Sequence, residues 1–257
     1  MTTNLQGKTG VISGGTSGIG LATAKILLEK GARVIIVGRD RVKGEEAATY
    51  LGSQAAFVQA DLSMVRECQK AAGAILKVTD KSTPQTRPVQ RQLDFLVNCA
   101  GTYEEERPEQ ITEEAYERVL NNNLKSTIFL TKELLPSLAK EAAIVNVASD
   151  AGISGNYGCS LYSAAKGAVV AFTRSLALDL APYIRVNCVC PGDVDTPLVA
   201  KQLAAGSYTK EEMAAVYPLG RIATPEEIAR VIAFVLSPEN SFMTGAIIPI
   251  DGGLTAK

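Results

Sequence analysis

The chain has 257 residues, with 26 basic and 27 acidic side chains, 46% hydrophobic residues and no histidine. This length suits one α/β domain with a full core, and the near balance of charge favours neither nucleic acid nor a membrane surface as a partner. Without histidine, a Ser-His-Asp hydrolase and most zinc sites are excluded; we expect no metal, and proton transfer has to use tyrosine, lysine, cysteine or a carboxylate.

The first ten residues lack the basic-then-apolar pattern of a signal peptide, and every long apolar run is of strand length. The five cysteines have no paired spacing, which suits a reducing compartment better than a disulfide framework. We therefore expect a cytoplasmic protein.

Short β-branched runs alternate with segments of helical periodicity along the chain. The predicted strands cover residues 9–13, 33–37, 55–59, 93–98, 143–148, 184–189 and 246–250. Their polar residues do not alternate with apolar ones, which is typical of a sheet covered on both faces. The order predicts an α/β fold, a Rossmann-type doubly wound parallel sheet of about seven strands in a single domain over residues 1–257. Residues 77–92 are polar and contain two prolines, and we predict a surface loop there.

A glycine-rich turn follows the first predicted strand and opens a helix. It reads Ser13-Gly14-Gly15-Thr16-Ser17-Gly18-Ile19-Gly20, and apolar residues then recur at helical spacing as far as Lys30. Glycines allow a tight turn and let the backbone approach a pyrophosphate, which the amides at a helix N-terminus hold. Between a strand and a helix, this turn predicts dinucleotide binding.

The end of the second predicted strand bears on which dinucleotide binds. It reads Val37-Gly38-Arg39-Asp40, about 18 residues after Gly20. An NAD site usually places a carboxylate here for the ribose hydroxyls, whereas a 2′-phosphate requires a cation. Gly38 and Arg39 therefore favour NADP(H), while Asp40 leaves NAD(H) open as the alternative.

One tyrosine of the eight, Tyr162, has a lysine four residues further on, Lys166. On a helix this spacing puts both side chains on one face, where an ammonium can stabilise a phenolate. Free tyrosine and lysine both titrate near 10, so a tyrosine that exchanges protons at neutral pH needs such a cation.

Several further motifs, in order along nearly the whole chain, resemble the short-chain dehydrogenase/reductase family. Asn98-Cys99-Ala100-Gly101 is similar to its Asn-Asn-Ala-Gly element, with Cys99 as a departure, and the glycine turn has Ser13 where the family usually has threonine. Residues 122–124 match the segment of its active-site asparagine. Ser149 lies 13 residues before Tyr162, as the family pattern requires, and residues 191–196 look like its Pro-Gly loop.

The resemblance implies a catalytic role for four residues. Tyr162 gives a proton to a carbonyl oxygen or takes one from an alcohol, and Lys166 lowers the pKa of Tyr162 and binds the nicotinamide ribose. Ser149 holds the substrate oxygen, and Asn123 positions a water that links Lys166 to solvent. The implied activity is an NADP(H)-dependent interconversion of a ketone and a secondary alcohol (EC 1.1.1.-).

The resemblance also implies the contacts of the cofactor. Arg39 meets the 2′-phosphate, Asp61 and Leu62 the adenine, and Asn98 the adenosine ribose region, although Asp61 is equally a candidate for the start of a helix. The other implied cofactor contacts are Gly14, Ser17, Gly18, Ile19, Gly20, Ala100, Gly101, Tyr162, Lys166, Pro191, Gly192, Val194 and Thr196.

Substrate choice in the family depends on the segment after the Pro-Gly loop, here about residues 197–219. This segment is amphipathic and predicts one or two helices that close over the site. Its candidate pocket residues are Leu198, Leu203, Met213, Val216 and Tyr217. Core packing is an alternative explanation for most of these residues. The expected partner is a small-molecule carbonyl or alcohol substrate, medium-sized and partly apolar.

Three alternatives stay open at the level of the sequence. The chain can be a 3-oxoacyl-[acyl-carrier-protein] reductase, but such enzymes usually present basic residues near the active-site mouth, and here Lys140 fits while residues 176–183 offer none. It can be an NAD-dependent alcohol or sugar dehydrogenase, or a non-catalytic NADP-sensing protein, although the latter predicts a damaged catalytic set. The resemblance further implies a homotetramer formed by two long helices, about residues 112–138 and 162–180, and by the last strand.

Overall fold

The computed structural model describes residues 4–82, 93–206 and 208–256. Its strands are β1 (Thr9–Ser13), β2 (Arg33–Gly38), β3 (Ala55–Gln59), β4 (Leu93–Asn98), β5 (Leu138–Val147), β6 (Arg185–Pro191) and β7 (Ile247–Ile250). Its helices are α1 (Gly18–Glu29), α2 (Arg41–Leu51), α3 (Val65–Ser82), α4 (Glu113–Leu120), α5 (Ser126–Leu134), α6 (Ser160–Leu180), α7 (Pro197–Ala204), α8 (Lys210–Ala215) and α9 (Pro225–Leu236).

The strands form one parallel sheet in the order β3-β2-β1-β4-β5-β6-β7. The chain moves outward from β1 to β3 and then returns to place β4 on the other side of β1. In doubly wound sheets, ligands bind where the strand order reverses, beyond the carboxyl ends of the strands. This confirms the predicted fold class and locates the site after β1 and β4.

Both faces of the sheet are buried, as the lack of alternation in the strands predicts. Val11 and Ile35 lie in the apolar cluster with α3 and α5, whereas their neighbours Ile12 and Ile36 lie in the cluster with α1 and α9. Successive side chains of a strand point to opposite faces, so each strand contributes to both clusters. No helix in the described part of the chain is long and apolar enough to cross a membrane.

Three elements differ from the sequence predictions by more than two residues. Residues 77–82 belong to α3 rather than to a loop, because the apolar face of that helix extends to Thr79, which is fully buried; residues 83–92 of the predicted loop lie outside the described residues. β5 starts at Leu138 rather than at residue 143, with a shift of register against β4. The predicted helix over residues 112–138 is divided by a π-helical turn at Asn121–Lys125 and ends at Leu134.

Candidate active site

Two adjoining cavities open at the carboxyl ends of the strands. The glycine-loop cavity, about 940 Å³, is lined by the turn after β1, the end of β2 and the residues after β3. The tyrosine cavity, about 380 Å³, is lined by the residues that follow β5 and β6 and by the first turns of α6. Ile19, Gly101 and Thr196 line both cavities, so a molecule that spans the two can reach from Arg39 to Tyr162.

The turn after β1 is shaped for close approach of a ligand backbone. Gly14 and Gly18 have φ angles of +67° and +51°, in the left-handed region that favours glycine. A Cβ on Gly20 would lie 2.3 Å from the Gly14 carbonyl oxygen. Ser17, the N-cap of α1, makes no side-chain hydrogen bond to the helix, and the first turn of α1 contains no acidic residue. The first amides of α1 therefore lack a side-chain cap, a donor set that fits an anionic pyrophosphate.

Arg39 and Asp40 have different environments at the end of β2. Arg39 lines the glycine-loop cavity and forms no ion pair with any residue of the described ranges. The Asp40 carboxylate accepts a hydrogen bond of 3.1 Å from the backbone amide of Lys43 and caps α2. The aspartate is therefore used by the helix, and the arginine is the charged group that borders the cavity here.

Most of the other residues implied as cofactor contacts also border these cavities. The described structure places Asp61, Leu62, Ala100 and Gly101 along the glycine-loop cavity. Asp61 does not cap α3, which begins at Val65; its carboxylate accepts from the amide and the hydroxyl of Ser63 instead. The remaining lining residues from the implied set are Gly14, Ser17, Gly18 and Gly20 on the first cavity, Pro191, Gly192 and Val194 on the second, and Ile19 and Thr196 on both.

Asn98 is the exception, and its implied role as a direct contact of the cofactor needs correction. Its side chain is buried at the end of β4 and lines neither cavity. The amide nitrogen donates to Thr131 Oγ1 at 2.9 Å and to Asn146 Oδ1 at 2.8 Å. The amide nitrogen of Asn98 thus ties β4 to α5 and β5 inside the sheet, whereas its side-chain oxygen, Oδ1, has no hydrogen-bond partner in the described structure.

Tyr162 and Lys166 occupy successive turns of α6 and both line the tyrosine cavity. Lys166 Nζ lies 5.7 Å from the centroid of the Tyr162 ring and donates a hydrogen bond of 3.1 Å to the Val147 carbonyl oxygen. The ring of Tyr103 packs edge-on against that of Tyr162, with 4.9 Å between the centroids. These contacts fix the phenol and hold the ammonium behind it.

Ser149 and Asn123 complete the cluster that the sequence predicts. Ser149 follows the end of β5, and its oxygen lies in the wall of the tyrosine cavity. Asn123 lies in the π-helical turn, where its amide nitrogen donates to the carbonyl oxygens of Thr102 and Val119, each at 3.0 Å. A Cβ on Gly101 would lie 2.6 Å from Asn123 Oδ1 and 3.3 Å from Lys166 Nζ, so glycine is required for this close packing. π-Helical turns are frequent at functional sites.

Burial controls the proton affinities of the tyrosine cavity. Removal from water raises the pKa of Tyr162 above its usual value, and the nearby carboxyl of Asp150 raises it further, while the Ser149 hydroxyl lowers it. Burial also lowers the pKa of Lys166. The sequence-based prediction that Lys166 lowers the pKa of Tyr162 stays a prediction, since desolvation has the largest effect on both groups.

Several polar groups of the tyrosine cavity were not predicted from the sequence, and Tyr217 was predicted only as a residue of an apolar pocket. Tyr103 donates to a carboxylate oxygen of Glu105 and lies 3.1 Å from the Cys159 sulfur, and the Asp193 amide donates to the Tyr217 hydroxyl at 2.7 Å. Asp150 directly follows Ser149 and forms a hydrogen bond with it. Adjacency to a predicted catalytic residue was the signal that could have found Asp150; the others come from distant parts of the chain.

Residues 197–219 cover one side of the cavity with α7 and α8, in accord with the one or two helices predicted there. Leu198, Met213, Val216 and Tyr217 line the tyrosine cavity. Leu203 does not line it and packs instead against the small apolar cluster beneath these helices. Lys140, considered for carrier-protein binding, lies near the start of β5, at the edge of the sheet opposite the cavities, and its ammonium is 5.0 Å from the centroid of the Tyr183 ring.

Comparison with known proteins gives matches over nearly the whole chain. A family model described as enoyl-(acyl carrier protein) reductase matches residues 14–255. The 3-oxoacyl-[acyl-carrier-protein] reductase of Chlamydia pneumoniae is 34% identical over 264 residues, covering 99% of this chain and 100% of that protein.

Two solved structures from Brucella melitensis have the same fold. A short-chain dehydrogenase/reductase described as glucose/ribitol dehydrogenase has a TM-score of 0.87 at 33% identity, covering 99% of both chains. A 3-ketoacyl-(acyl-carrier-protein) reductase in complex with NADH has a TM-score of 0.86 at 31% identity, covering 98% of this chain and 100% of that one. Each match spans the glycine turn and the Tyr-Lys segment together.

Proposed function

This chain belongs to the short-chain dehydrogenase/reductase family and is an oxidoreductase of CH–OH and carbonyl groups, and we propose that it uses NADP(H), with Tyr162 as its proton donor and acceptor. Its cofactor is a nicotinamide dinucleotide, as in the relative described with NADH. The observation that carries the proposal is the meeting of the two cavities, which puts Ser149, Tyr162 and Lys166 within reach of a molecule bound along the glycine turn.

The choice of NADP(H) over NAD(H) depends on residues 38–40. Gly38 borders the cavity and is packed against Thr16, since an added Cβ would lie 2.7 Å from Thr16 Cγ2. Arg39 supplies a cation that no described carboxylate neutralises. Asp40, the residue that could favour NAD(H), is held by its bond to the start of α2. A guanidinium can bind a 2′-phosphate through two hydrogen bonds, whereas a carboxylate there would repel it.

The proposed chemistry assigns one task to each residue of the cluster. A cofactor held along the glycine turn and at Arg39 would supply the hydride for the carbonyl carbon in reduction and would accept the hydride of the alcohol carbon in oxidation. Tyr162 gives its phenol proton to the carbonyl oxygen in reduction and takes the alcohol proton in oxidation. Lys166 stabilises the phenolate by its charge, Ser149 orients the substrate oxygen, and Asn123 holds the π-helical turn against the loop that carries Thr102.

We propose a small, uncharged ketone or secondary alcohol as the substrate. The wall formed by Leu198, Met213 and Val216 is apolar, while the carboxyl groups of Asp150, Asp193 and Glu105 border the same space. Lys166 is the cationic residue in the lining of the tyrosine cavity, and it lies beneath Tyr162. Substrates with an anionic group next to the reacting carbon are therefore disfavoured.

The similarity to carrier-protein reductases gives a second candidate, a 3-oxoacyl-[acyl-carrier-protein] reductase. Two observations rank it below the first. Lys140 lies near the amino end of β5, whereas the cavities open at the carboxyl ends of the strands. Two cations near the cavities are already in ion pairs, Arg118 with Glu104 and Lys210 with Asp195, each at 2.6 Å. Apart from the buried Lys166, the cations that line the two cavities in the described ranges without an ion pair are Arg39 and Lys201, and both lie on the glycine-loop cavity rather than on the tyrosine cavity.

The test is a comparison of NADPH oxidation rates with cyclohexanone, a small polyhydroxy ketone, acetoacetyl-N-acetylcysteamine and an acetoacetyl carrier protein. Turnover of the small ketones at rates equal to or above the carrier-protein substrate supports the proposal. A kcat/KM on the acetoacetyl carrier protein that exceeds the others a hundredfold would reverse the order of the two candidates. Binding of NADPH with no turnover of any carbonyl compound, at any pH tried, would contradict both and support a cofactor-sensing role.

A further inference from the structure

The hydroxyl group of Ser149 already makes two hydrogen bonds within the protein. Its proton is donated to Asp150 Oδ1 at 2.7 Å, and its oxygen accepts a weaker hydrogen bond from the Ala151 amide at 3.2 Å. The same Asp150 oxygen accepts from the Ala151 amide at 2.7 Å. Ser149 and Asp150 are both buried, so water does not compete freely for these bonds.

A hydroxyl group has one proton and two lone pairs. With the proton on the bond to Asp150 and one lone pair on the amide, Ser149 has a single lone pair left for the cavity, next to the Tyr162 hydroxyl. This lone pair can accept a hydrogen bond but cannot donate one. The oxygen of a secondary alcohol carries a proton that can be donated to Ser149, whereas a ketone oxygen only accepts.

We propose that Asp150 is a positioning residue that holds the proton of Ser149 and thereby makes the site bind a secondary alcohol in preference to the corresponding ketone. The inference rests on the proposed function, since it takes Ser149 as the group that meets the substrate oxygen. Asp150 acts through Ser149 and does not itself contact the reacting atoms.

Protonation of Asp150 reverses this preference. A neutral carboxyl group no longer requires the serine proton, and Ser149 is then able to donate to a ketone oxygen. Burial raises the pKa of Asp150, and the charge of Asp251 raises it further, while the bonds from Ser149, Ala151 and Asn156 lower it. The ionisable groups that face Asp150 are Tyr162 and Cys159 of α6, Asp193 and Tyr217 on the side of the Pro-Gly loop, and Asp251 after β7.

The experiment measures KM for both directions on the ketone and alcohol pair with the highest turnover in the substrate panel. In Asp150→Ala the serine proton is free, and we expect the ratio of the ketone KM to the alcohol KM to fall about tenfold, which corresponds to about 1.4 kcal/mol. Because an enzyme cannot change the equilibrium constant of its reaction, the ratio of the ketone kcat to the alcohol kcat should fall by the same factor when the cofactor constants are unchanged. A loss of folding or of general activity does not change the ratio of the ketone KM to the alcohol KM.

Asp150→Asn supplies the conservative variant. Its amide oxygen can accept from Ser149 and from the Ala151 amide as the carboxylate does, but it does not titrate. We expect the wild-type ratio at neutral pH and no change of the ratio on acidification, whereas in the wild type the ratio should fall as the pH drops and Asp150 gains a proton. Asp179→Asn removes an exposed carboxyl of α6 that lines neither cavity, so the ratio and its pH dependence should stay as in the wild type.

The outcomes separate this inference from the function on which it rests. If Asp150→Ala keeps the wild-type KM ratio while Ser149→Ala and Tyr162→Phe abolish turnover, the inference is wrong and the proposed function stands. If Ser149→Ala and Tyr162→Phe retain turnover, the proposed function itself fails. An Asp150→Asn ratio equal to that of Asp150→Ala would also overturn the inference, because a neutral acceptor would then not hold the proton.

Discussion

Arg39 and Asp40 are neighbours in the chain, but they have different partners. The aspartate is bound to the start of α2, and the arginine borders the glycine-loop cavity without a described ion-pair partner. A carboxylate that caps a helix contributes about 1 kcal/mol to its stability, which opposes any turn of Asp40 toward a ribose. The capping of α2 by Asp40 therefore keeps this carboxylate from the position in which it would favour NAD(H) over NADP(H).

We predict that Arg39→Ala weakens NADPH binding by a factor of ten or more, about 1.4 kcal/mol, and leaves NADH binding nearly unchanged. The physical reason is the loss of the cation that meets the 2′-phosphate. Titration of each cofactor by fluorescence measures the effect, with Lys43→Ala as the control, because Lys43 is an exposed cation four residues away that does not line the cavity. If the affinities for NADPH and NADH fall equally, or if neither falls, Arg39 does not bind the 2′-phosphate.

At the residue scale, the motifs predicted which side chains lie together. Ser149, Tyr162 and Lys166 come from one stretch of the chain and Asn123 from an earlier one, and all four line one cavity in the described structure; their catalytic roles stay a prediction. Asn98 shows the limit, because its motif was read as a ligand contact while its amide bonds to Thr131 and Asn146 inside the sheet. A sequence does not reveal which way a polar side chain turns at the end of a strand.

At the scale of the element, the glycine turn and α1 act as one unit. Gly20 packs so closely on the turn that any side chain there would meet backbone atoms, which cannot move aside as a flexible side chain can. The start of α1 and the turn are therefore held in a single arrangement. The amides that fit a pyrophosphate depend on this contact.

We predict that Gly20→Ala lowers NADPH affinity at least tenfold and lowers the free energy of unfolding by about 1–3 kcal/mol, the usual cost of overpacking. Gly73→Ala is the matched control: Gly73 lies in α3, and an added Cβ would meet nothing within 4 Å. It should keep the cofactor affinity and raise stability by up to about 1 kcal/mol, because alanine is the better helix former. Calorimetry and fluorescence titration measure both quantities; wild-type binding by Gly20→Ala would refute the account of the turn.

Strand positions were predictable because β-branched runs without alternation have few other interpretations in an α/β pattern. The ends of helices were less predictable from the sequence. Residues 77–82 are mostly polar, but Thr79 among them is buried, so α3 continues where the composition predicted a loop. The π-helical turn at Asn121–Lys125 depends on contacts such as those of Asn123 with Thr102, which are not local in sequence.

At the scale of the whole molecule, the topology brings the two cavities together. β1 and β4 are neighbours in the sheet although 79 residues of chain separate Ser13 from Leu93, and their ends supply the glycine turn and the Gly101 segment. This follows from the reversal of strand order, which the alternating pattern predicts in general form.

We predict that the protein is a homotetramer at micromolar concentration. β7 is one of the two edge strands of the sheet. The exposed apolar side chains include Leu178 on α6 and Phe242 before β7. Burial of such groups on association is favourable, and homo-oligomers of this kind are usually symmetric. Sedimentation velocity should give about four times the chain mass of 27.1 kDa; a single species of monomer mass would contradict the prediction.

The most direct test of the central claim is the rate of NADPH oxidation by the best ketone of the panel in Tyr162→Phe, with NADPH affinity measured on the same samples. We predict a loss of kcat of about 10²–10⁴ with the cofactor dissociation constant within about threefold of the wild type, since the phenol proton is lost while the cavity for the cofactor is kept. Tyr116→Phe, a change at an exposed tyrosine of α4, should behave as the wild type. A Tyr162→Phe enzyme within tenfold of wild-type turnover would show that another group delivers the proton, and the assignment of the active site would be wrong.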